Sequence, residues 1–145
     1  MVKSLVRFGY ADRFLNLKDK RVVQSFLVEL VMGEAGVPCR LQYVFCSDEY
    51  LHSINLSFLQ HDDYTDIITF DLSVNRELFI EGEIYISIDR VVANARKMEV
   101  LFQQEILRVI FHGALHLCGY SDLSGIDKLK MRDKEDLYLK KFGVL

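Results

Sequence analysis

Two histidines, His112 and His116, stand four residues apart in the apolar segment VIFHGALHLCGYSD, residues 109–122. On an α-helix this spacing corresponds to a rotation of about 400° and a rise of about 6 Å, so both side chains project from nearly one line. Two imidazoles placed in this way can converge on a single metal ion. The alternative is that both rings are hydrogen-bonded core side chains, and the spacing alone leaves both interpretations open.

A carboxylate just beyond this helix could complete a metal site. Gly119 is predicted to end the helix in a left-handed conformation that reverses the chain. Asp122 follows three residues later, so its carboxylate could swing back over the two imidazoles. Two histidines and one aspartate leave a position open for water, which is typical of catalytic zinc. We therefore predict one Zn²⁺ per chain at His112, His116 and Asp122, unless Asp122 merely caps the next helix or bonds the turn.

The same helix carries further polar residues in line with the histidines. Gln104, Arg108, His112 and His116 form one polar stripe, and apolar side chains cover most of the remaining surface. A stripe of this kind on a buried helix is the wall of a cleft rather than a solvated face. Gly113 costs the helix roughly 1 kcal/mol of stability, which predicts the close approach of another backbone.

The elements around that helix follow from hydrophobic periodicity and from capping residues. Strands are predicted at SLVRF, CRLQYVFCS, TDIITFDL and EGEIYISID, and the last two form a hairpin. Helices are predicted before Gly36, after a Ser47 cap, after an Asp89 cap, around residues 102–118, and from Ser124 to about Lys141. We therefore expect residues 1–145 to form one α/β (α+β) domain, in which about five helices cover a small mixed sheet of about four strands.

Composition limits the classes of protein to which the chain can belong. Its 145 residues, of which 50% are hydrophobic and 27% charged, suffice for one globular core. A net charge of −3 excludes a global basic footprint, so any contact with nucleic acid needs a local basic patch. The sequence shows no apolar run of membrane-spanning length and no signal-peptide pattern. Three cysteines without CxxC spacing predict no disulfide and a cytoplasmic location.

Several motifs together resemble those of the YbeY endoribonucleases. HGALHLCGYSD is similar to the family signature HGxLHLxGYDH. Further similarities are YTDIITF (64–70) to TDVLSF, EGEIYIS (81–87) to GDIxIS, and the positions of Ile54, Asn55, Met131 and Glu135. The resemblance covers roughly residues 45–140.

The resemblance implies a single-domain α/β fold with a zinc ion held by three side chains. It also implies a single-strand-specific endoribonuclease that acts in ribosomal RNA maturation, notably at the 3′ end of the small-subunit rRNA, and in ribosome quality control. Ribosomal RNA or the small ribosomal subunit is then the partner. By position, His112 and His116 are the first two metal ligands, and Asp122 takes the place of a third histidine.

Two departures from the family pattern change what this site is expected to do. Asp122 is an acceptable zinc ligand, but it should make the bound water less acidic and let harder ions compete better. Leu59 follows Phe58 at the position where the family has a phosphate-binding arginine. Arg108 or His61 is therefore predicted to supply the positive charge that stabilises the phosphorane-like transition state.

Basic residues elsewhere in the sequence are candidates for contacts with RNA. Arg90, Arg96 and Lys97 lie on the helix that follows the second hairpin strand. The alternative is that they form an ordinary solvated helix face.

Two other functions share part of this pattern. Zinc peptidases also use HxxxH on a helix, but their general base is the glutamate of HExxH, and Gly113 occupies that position here. A non-catalytic ribosome-associated factor with a structural metal is the other alternative, and Leu59 favours it. Assays on single-stranded RNA with and without a chelator separate this factor from an endoribonuclease.

Overall fold

Four strands form one mixed sheet in the computed structural model, which describes residues 3–61 and 63–145. The strands are β1 (Leu5–Tyr10), β2 (Cys39–Cys46), β3 (Ile67–Asp71) and β4 (Ile80–Ser87), and their spatial order is β1-β2-β4-β3. β1, β2 and β4 are parallel, and β3 closes one edge as the antiparallel partner of β4. The predicted mixed sheet and its hairpin are therefore confirmed.

Five helices accompany this sheet in the described part of the chain. They are α1 (Lys20–Ala35), α2 (Asp48–Leu59), α3 (Ile88–Met98), α4 (Phe102–Leu117) and α5 (Gly125–Phe142). None of them is long and apolar enough to cross a membrane. Cys39, Cys46 and Cys118 are free thiols.

The N-terminal caps of α2 and α3 test the predicted helix starts. Ser47 caps α2 as predicted, because its hydroxyl accepts a bond from the Tyr50 amide at 3.0 Å. The predicted Asp89 cap is wrong, since β4 passes straight into α3 and the hydroxyl of Ser87 accepts the Arg90 amide at 3.1 Å. The carboxylate of Asp89 lies in the first turn of α3 and accepts the Asp48 amide at 2.9 Å.

The alternation of side chains along β2 and β4 divides the interior into a large and a small cluster. The large cluster joins the sheet to α1, α4 and α5, and the small one packs Leu51 and Ile54 of α2 against Ile68 of β3. Tyr43 of β2 is fully buried, and its hydroxyl donates to the Ile110 carbonyl of α4 at 2.7 Å. This bond helps to hold α4 on the sheet, since a buried hydroxyl without a partner is costly.

Two glycines let α4 lie close to the sheet. A Cβ added at Gly113 would lie 2.9 Å from Cγ2 of Ile84 and 3.1 Å from Cδ1 of Ile67. A Cβ at Gly82 would lie 2.5 Å from Cδ1 of Leu117. The close approach predicted at Gly113 is therefore present, but the nearest atoms are side chains of β3 and β4 and not a second backbone.

We expect Gly82→Ala to destabilise the protein by about 1–3 kcal/mol, because Leu117 must move to make room for the methyl group. The matched control is Gly33→Ala in α1, where a Cβ would meet nothing within 4 Å. It should stabilise the protein by about 0.5–1 kcal/mol through helix propensity. Urea unfolding of both variants measures the difference. Equal stabilities would contradict the packing of α4 on β4.

Candidate active site

The polar face of α4 opens into a cleft of about 620 Å³. Loop residues after α2 and the start of β3 form the facing wall, and α5 closes one side. Asn55 of α2 helps to hold that loop, because its side-chain amide donates to the Asp63 carbonyl at 2.9 Å. The lining residues are Asn55, Leu59, His61, Asp63, Tyr64, Thr65, Asp66, Ile67, Ile68, Thr69, Glu105, Arg108, Val109, His112, His116, Asp122, Arg132 and Glu135.

The chain reverses after α4 as the sequence predicted. Gly119 has a φ of +110°, a conformation that favours glycine, and its amide bonds the His116 carbonyl at 3.0 Å. The turn brings Oδ2 of the half-exposed Asp122 to 3.5 Å from Nε2 of His112. Ser124, whose hydroxyl accepts the Asp127 amide at 3.0 Å, caps α5. Asp122 is therefore not the cap of α5.

His112 is oriented by a residue that the sequence did not predict as part of the site. Its Nδ1 lies 2.7 Å from Oε2 of the buried Glu135 on α5. Because a carboxylate accepts hydrogen bonds, Nδ1 donates to Glu135, which leaves Nε2 on the side of Asp122. Burial lowers the pKa of His112, but the hydrogen bond to Glu135 and the nearby carboxylates outweigh burial and raise that pKa.

The second histidine stands on the exposed side of the cleft. The rings of His112 and His116 are parallel within 4°, with centroids 6.5 Å apart. Nowhere in residues 3–61 and 63–145 does the structure hold three or more His, Cys, Asp or Glu side chains in positions to bind a metal ion. The donor atoms of His112 and Asp122 are nevertheless at ligand spacing. Adjacent donors around a tetrahedral zinc with bonds of about 2.0–2.1 Å are about 3.4 Å apart.

Arg108 lines the cleft, but its charge is offset by two carboxylates of α5. Its Nη1 donates to Oε1 of Glu135 at 3.0 Å, and its Nη2 donates to Oδ1 of Asp136 at 2.7 Å. Burial lowers the pKa of Arg108, while the bonds to Asp136 and Glu135 outweigh burial and raise it. Glu135 thus accepts from both Arg108 and His112. A signal for it existed in the sequence, because an acid stands among the apolar positions Met131, Tyr138 and Leu139 of α5.

The remaining predicted residues are divided between the cleft and the outer surface. His61 lies exposed at the edge of the cleft, and its amide donates to the Asn55 carbonyl at 3.2 Å. Arg90 lies outside the cleft and pairs with Asp48 at 2.8 Å. Arg96 and Lys97 are exposed in the last turn of α3, also outside the cleft. The structure therefore brings His61, Arg108, His112, His116 and Asp122 together and leaves the three basic residues of α3 apart.

Two further carboxyl groups inside the cleft were not predicted as site residues. Burial raises the pKa of Asp66 and that of Glu105. The backbone carbonyl of Asp66, next to the start of β3, accepts the Ser87 amide at 3.0 Å. Oε1 of Glu105 is buried and has no hydrogen-bond partner within the described ranges. These groups make the cleft acidic.

Comparison with known proteins decides the family. The model of the family described as Endoribonuclease YbeY matches residues 13–143. The chain belongs to the YbeY endoribonuclease family. The YbeY endoribonuclease of Flavobacterium johnsoniae is 41% identical to this chain, and the match covers 97% of this chain and 99% of the relative. That of Christiangramia forsetii is 45% identical over 99% of each chain. The resemblance seen in the sequence is confirmed.

A solved structure supports the fold. The solution structure of TM1509 from Thermotoga maritima matches with a TM-score of 0.67 and 27% sequence identity. The match covers 94% of this chain and 87% of that one. The α/β arrangement predicted from periodicity and from the YbeY resemblance is therefore confirmed.

We expect Glu135→Gln to weaken zinc binding about 10–100-fold, because the carboxylate that orients His112 is lost. The matched control is Asp136→Asn, which removes the other partner of Arg108 without contacting His112. A competitive titration with a chromophoric chelator measures both affinities. If the two variants bind zinc equally well, Glu135 does not position the imidazole.

The partly buried carboxylate of Glu34 holds the turn that carries Asp122. Oε1 of Glu34, near the end of α1, accepts the hydroxyl of Tyr120 at 2.7 Å, and Oε2 accepts Nζ of Lys134 at 3.1 Å. The hydroxyl of Tyr138 donates to the same carboxylate. Burial raises the pKa of Glu34, but these three hydrogen bonds outweigh burial and lower it from its ordinary value of 4.5.

The Glu34 contacts predict a specific dependence of stability on pH. Their contribution is present above the ordinary pKa and is lost as the pH falls through the lowered pKa of the folded state. Glu34→Gln should cost about 1–3 kcal/mol at neutral pH and flatten the acid limb of the stability curve. The control is Glu29→Gln at an exposed position of the same helix. Urea unfolding across acid and neutral pH tests this, and parallel curves for both variants would contradict it.

Proposed function

We propose that the protein is a metal-dependent, single-strand-specific endoribonuclease that hydrolyses RNA phosphodiester bonds. Its role would be in ribosomal RNA maturation, at the 3′ end of the small-subunit rRNA, and in ribosome quality control, in the cytoplasm. The observation that carries the proposal is the contact of His112 with both Asp122 and Glu135 inside one cleft. Its supporting context is membership of the YbeY endoribonuclease family.

The chemistry of the donor set fits one zinc ion per chain, held by His112, His116 and Asp122. His112 has one nitrogen bonded to Glu135 and the other turned toward Asp122, which is the arrangement usual for a ligating imidazole. His116 is exposed, so its ring has room to turn toward the other two donors. When bound, zinc would polarise a phosphoryl oxygen and lower the pKa of water at the site.

The shape and charge of the cleft support an unpaired RNA strand as the substrate. A cleft of about 620 Å³ has room for a nucleotide of an unstacked strand. Asp66 and Glu105 are the carboxyl groups best suited to hold and exchange a proton, since burial raises their pKa values. His61 would contact phosphate within the cleft, Arg108 would hold the cleft wall through its bonds to Glu135 and Asp136, and Arg90, Arg96 and Lys97 would contact RNA beyond the cleft.

A non-catalytic ribosome-associated factor with a structural metal is the second candidate. The observation that favours it is the lining itself, where apolar Leu59 faces the cleft and Arg108 is paired with two carboxylates. In that case the protein would bind the small ribosomal subunit or its RNA without cleaving it.

We expect the zinc-loaded protein to cleave single-stranded RNA and a chelator to abolish the cleavage. Loss of a residue that orients a metal ligand typically lowers zinc affinity about 10–100-fold. Asp122→Ala should lower it further, because the ligand itself is lost and two imidazoles alone hold zinc weakly. Asp122→His should retain zinc, and Asp122→Asn should fall between. Zinc titration at constant pH and gel analysis of a labelled RNA measure these effects.

The outcomes of this experiment separate the candidates. Asp133→Asn, an exposed acid of α5 outside the cleft, is the control for loss of charge. RNA binding without cleavage by the zinc-loaded protein would favour the non-catalytic factor. Equal zinc affinities in all three Asp122 variants would remove Asp122 from the site.

A further inference from the structure

The cleft that would bind RNA carries more acidic than basic side chains. Five carboxylates line it, and their residues are Asp63, Asp66, Glu105, Asp122 and Glu135. A phosphodiester anion is repelled by such a surface unless a cation lies beside it. Among the lining residues, two arginines, Arg108 and Arg132, carry a permanent positive charge.

Arg108 already forms ion pairs that hold α5 on α4. Its side chain is 8% exposed, and two of its nitrogens bond Glu135 and Asp136. Turning the guanidinium toward a phosphate would leave the buried Glu135 carboxylate without this partner, which is costly in a protein interior. Arg108 therefore stabilises the wall of the cleft and has little charge left for a ligand.

Arg132 differs from Arg108 in each of these respects. It is exposed, and it forms no hydrogen bond or ion pair with any residue of the described ranges 3–61 and 63–145. It lies three residues before Glu135 on α5, so it is on the same side of that helix, one turn away. The electrostatic effect of Arg132 extends into the cleft: burial raises the pKa of Glu105, and Arg108 and then Arg132 lower it.

We propose that Arg132 binds a backbone phosphate of the single-stranded RNA in the cleft. This inference rests on the proposed endoribonuclease function and names a residue that performs it. A guanidinium presents two parallel N–H donors to phosphate oxygens, and an exposed arginine can offer them without breaking an existing ion pair. The facing wall offers apolar Leu59 and His61, so α5 supplies the permanent cation at the mouth of the cleft.

The test compares Arg132→Gln with Lys130→Gln. Both variants remove one positive charge from an exposed position of α5, but Lys130 does not line the cleft. Binding of a short fluorescein-labelled single-stranded RNA to the zinc-loaded protein is followed by fluorescence anisotropy at several salt concentrations. Arg132→Gln should weaken binding about tenfold, as expected for loss of a charged hydrogen bond. It should also reduce the slope of log K against log salt by about 0.7.

Further measurements distinguish phosphate binding from a structural role. Zinc content and the urea midpoint of Arg132→Gln should equal those of the wild type. Arg132→Lys should keep the salt slope, since it keeps the charge, but lose part of the affinity with the bidentate geometry.

Each remaining outcome overturns a defined claim. If Arg132→Gln and Lys130→Gln lose the same affinity and slope while the wild type binds RNA, the role of Arg132 is wrong and the proposed function stands. If the zinc-loaded wild type neither binds nor cleaves single-stranded RNA, both the proposed function and the role of Arg132 are wrong.

Discussion

The carboxylate of Glu135 connects the fold to the candidate site. One oxygen accepts from Arg108 at 3.0 Å and the other lies 2.7 Å from Nδ1 of His112. The residue is 6% exposed, so neither bond is strongly screened by water. The same group therefore docks α5 on α4 and sets which nitrogen of His112 faces Asp122. A change that loosens the helix pair also misorients the imidazole.

The sequence predicted the features that depend on neighbouring residues, but not the contacts between residues that are far apart in the chain. The stripe on α4 and the turn at Gly119 are local, so helical period and glycine chemistry predicted them. The contacts of Glu135 with Arg108 and His112 span 27 and 23 residues, and no periodicity in one sequence pairs such positions. The wrong cap of α3 has a different cause. Ser87 and Asp89 both have capping side chains, and the choice depended on where β4 ends.

The charges counted in the sequence did not predict RNA binding, because their effect depends on which side chains pair with each other in the cleft. The net charge of −3 and the five carboxylates of the cleft oppose RNA binding. Counting Arg108 as an available cation overstates the positive charge, because Glu135 and Asp136 neutralise it. A cleft with this balance attracts cations first. Binding of a polyanion such as RNA in this cleft needs added positive charge, from a metal ion and from Arg132, which has no ion-pair partner among residues 3–61 and 63–145.

The ligands predicted for the metal differ in how firmly the protein holds them. His112 is fixed by Glu135, and the turn before Asp122 is fixed through Tyr120 and Glu34. His116 is exposed, and the carboxylate of Asp122 is half-exposed at 3.5 Å from Nε2 of His112. An ion that enters the cleft would therefore meet one preorganised imidazole and two adjustable groups. Aligning the adjustable groups costs conformational entropy, so the fixed orientation of His112 lowers the cost of assembling the site but does not replace either of the other two donors.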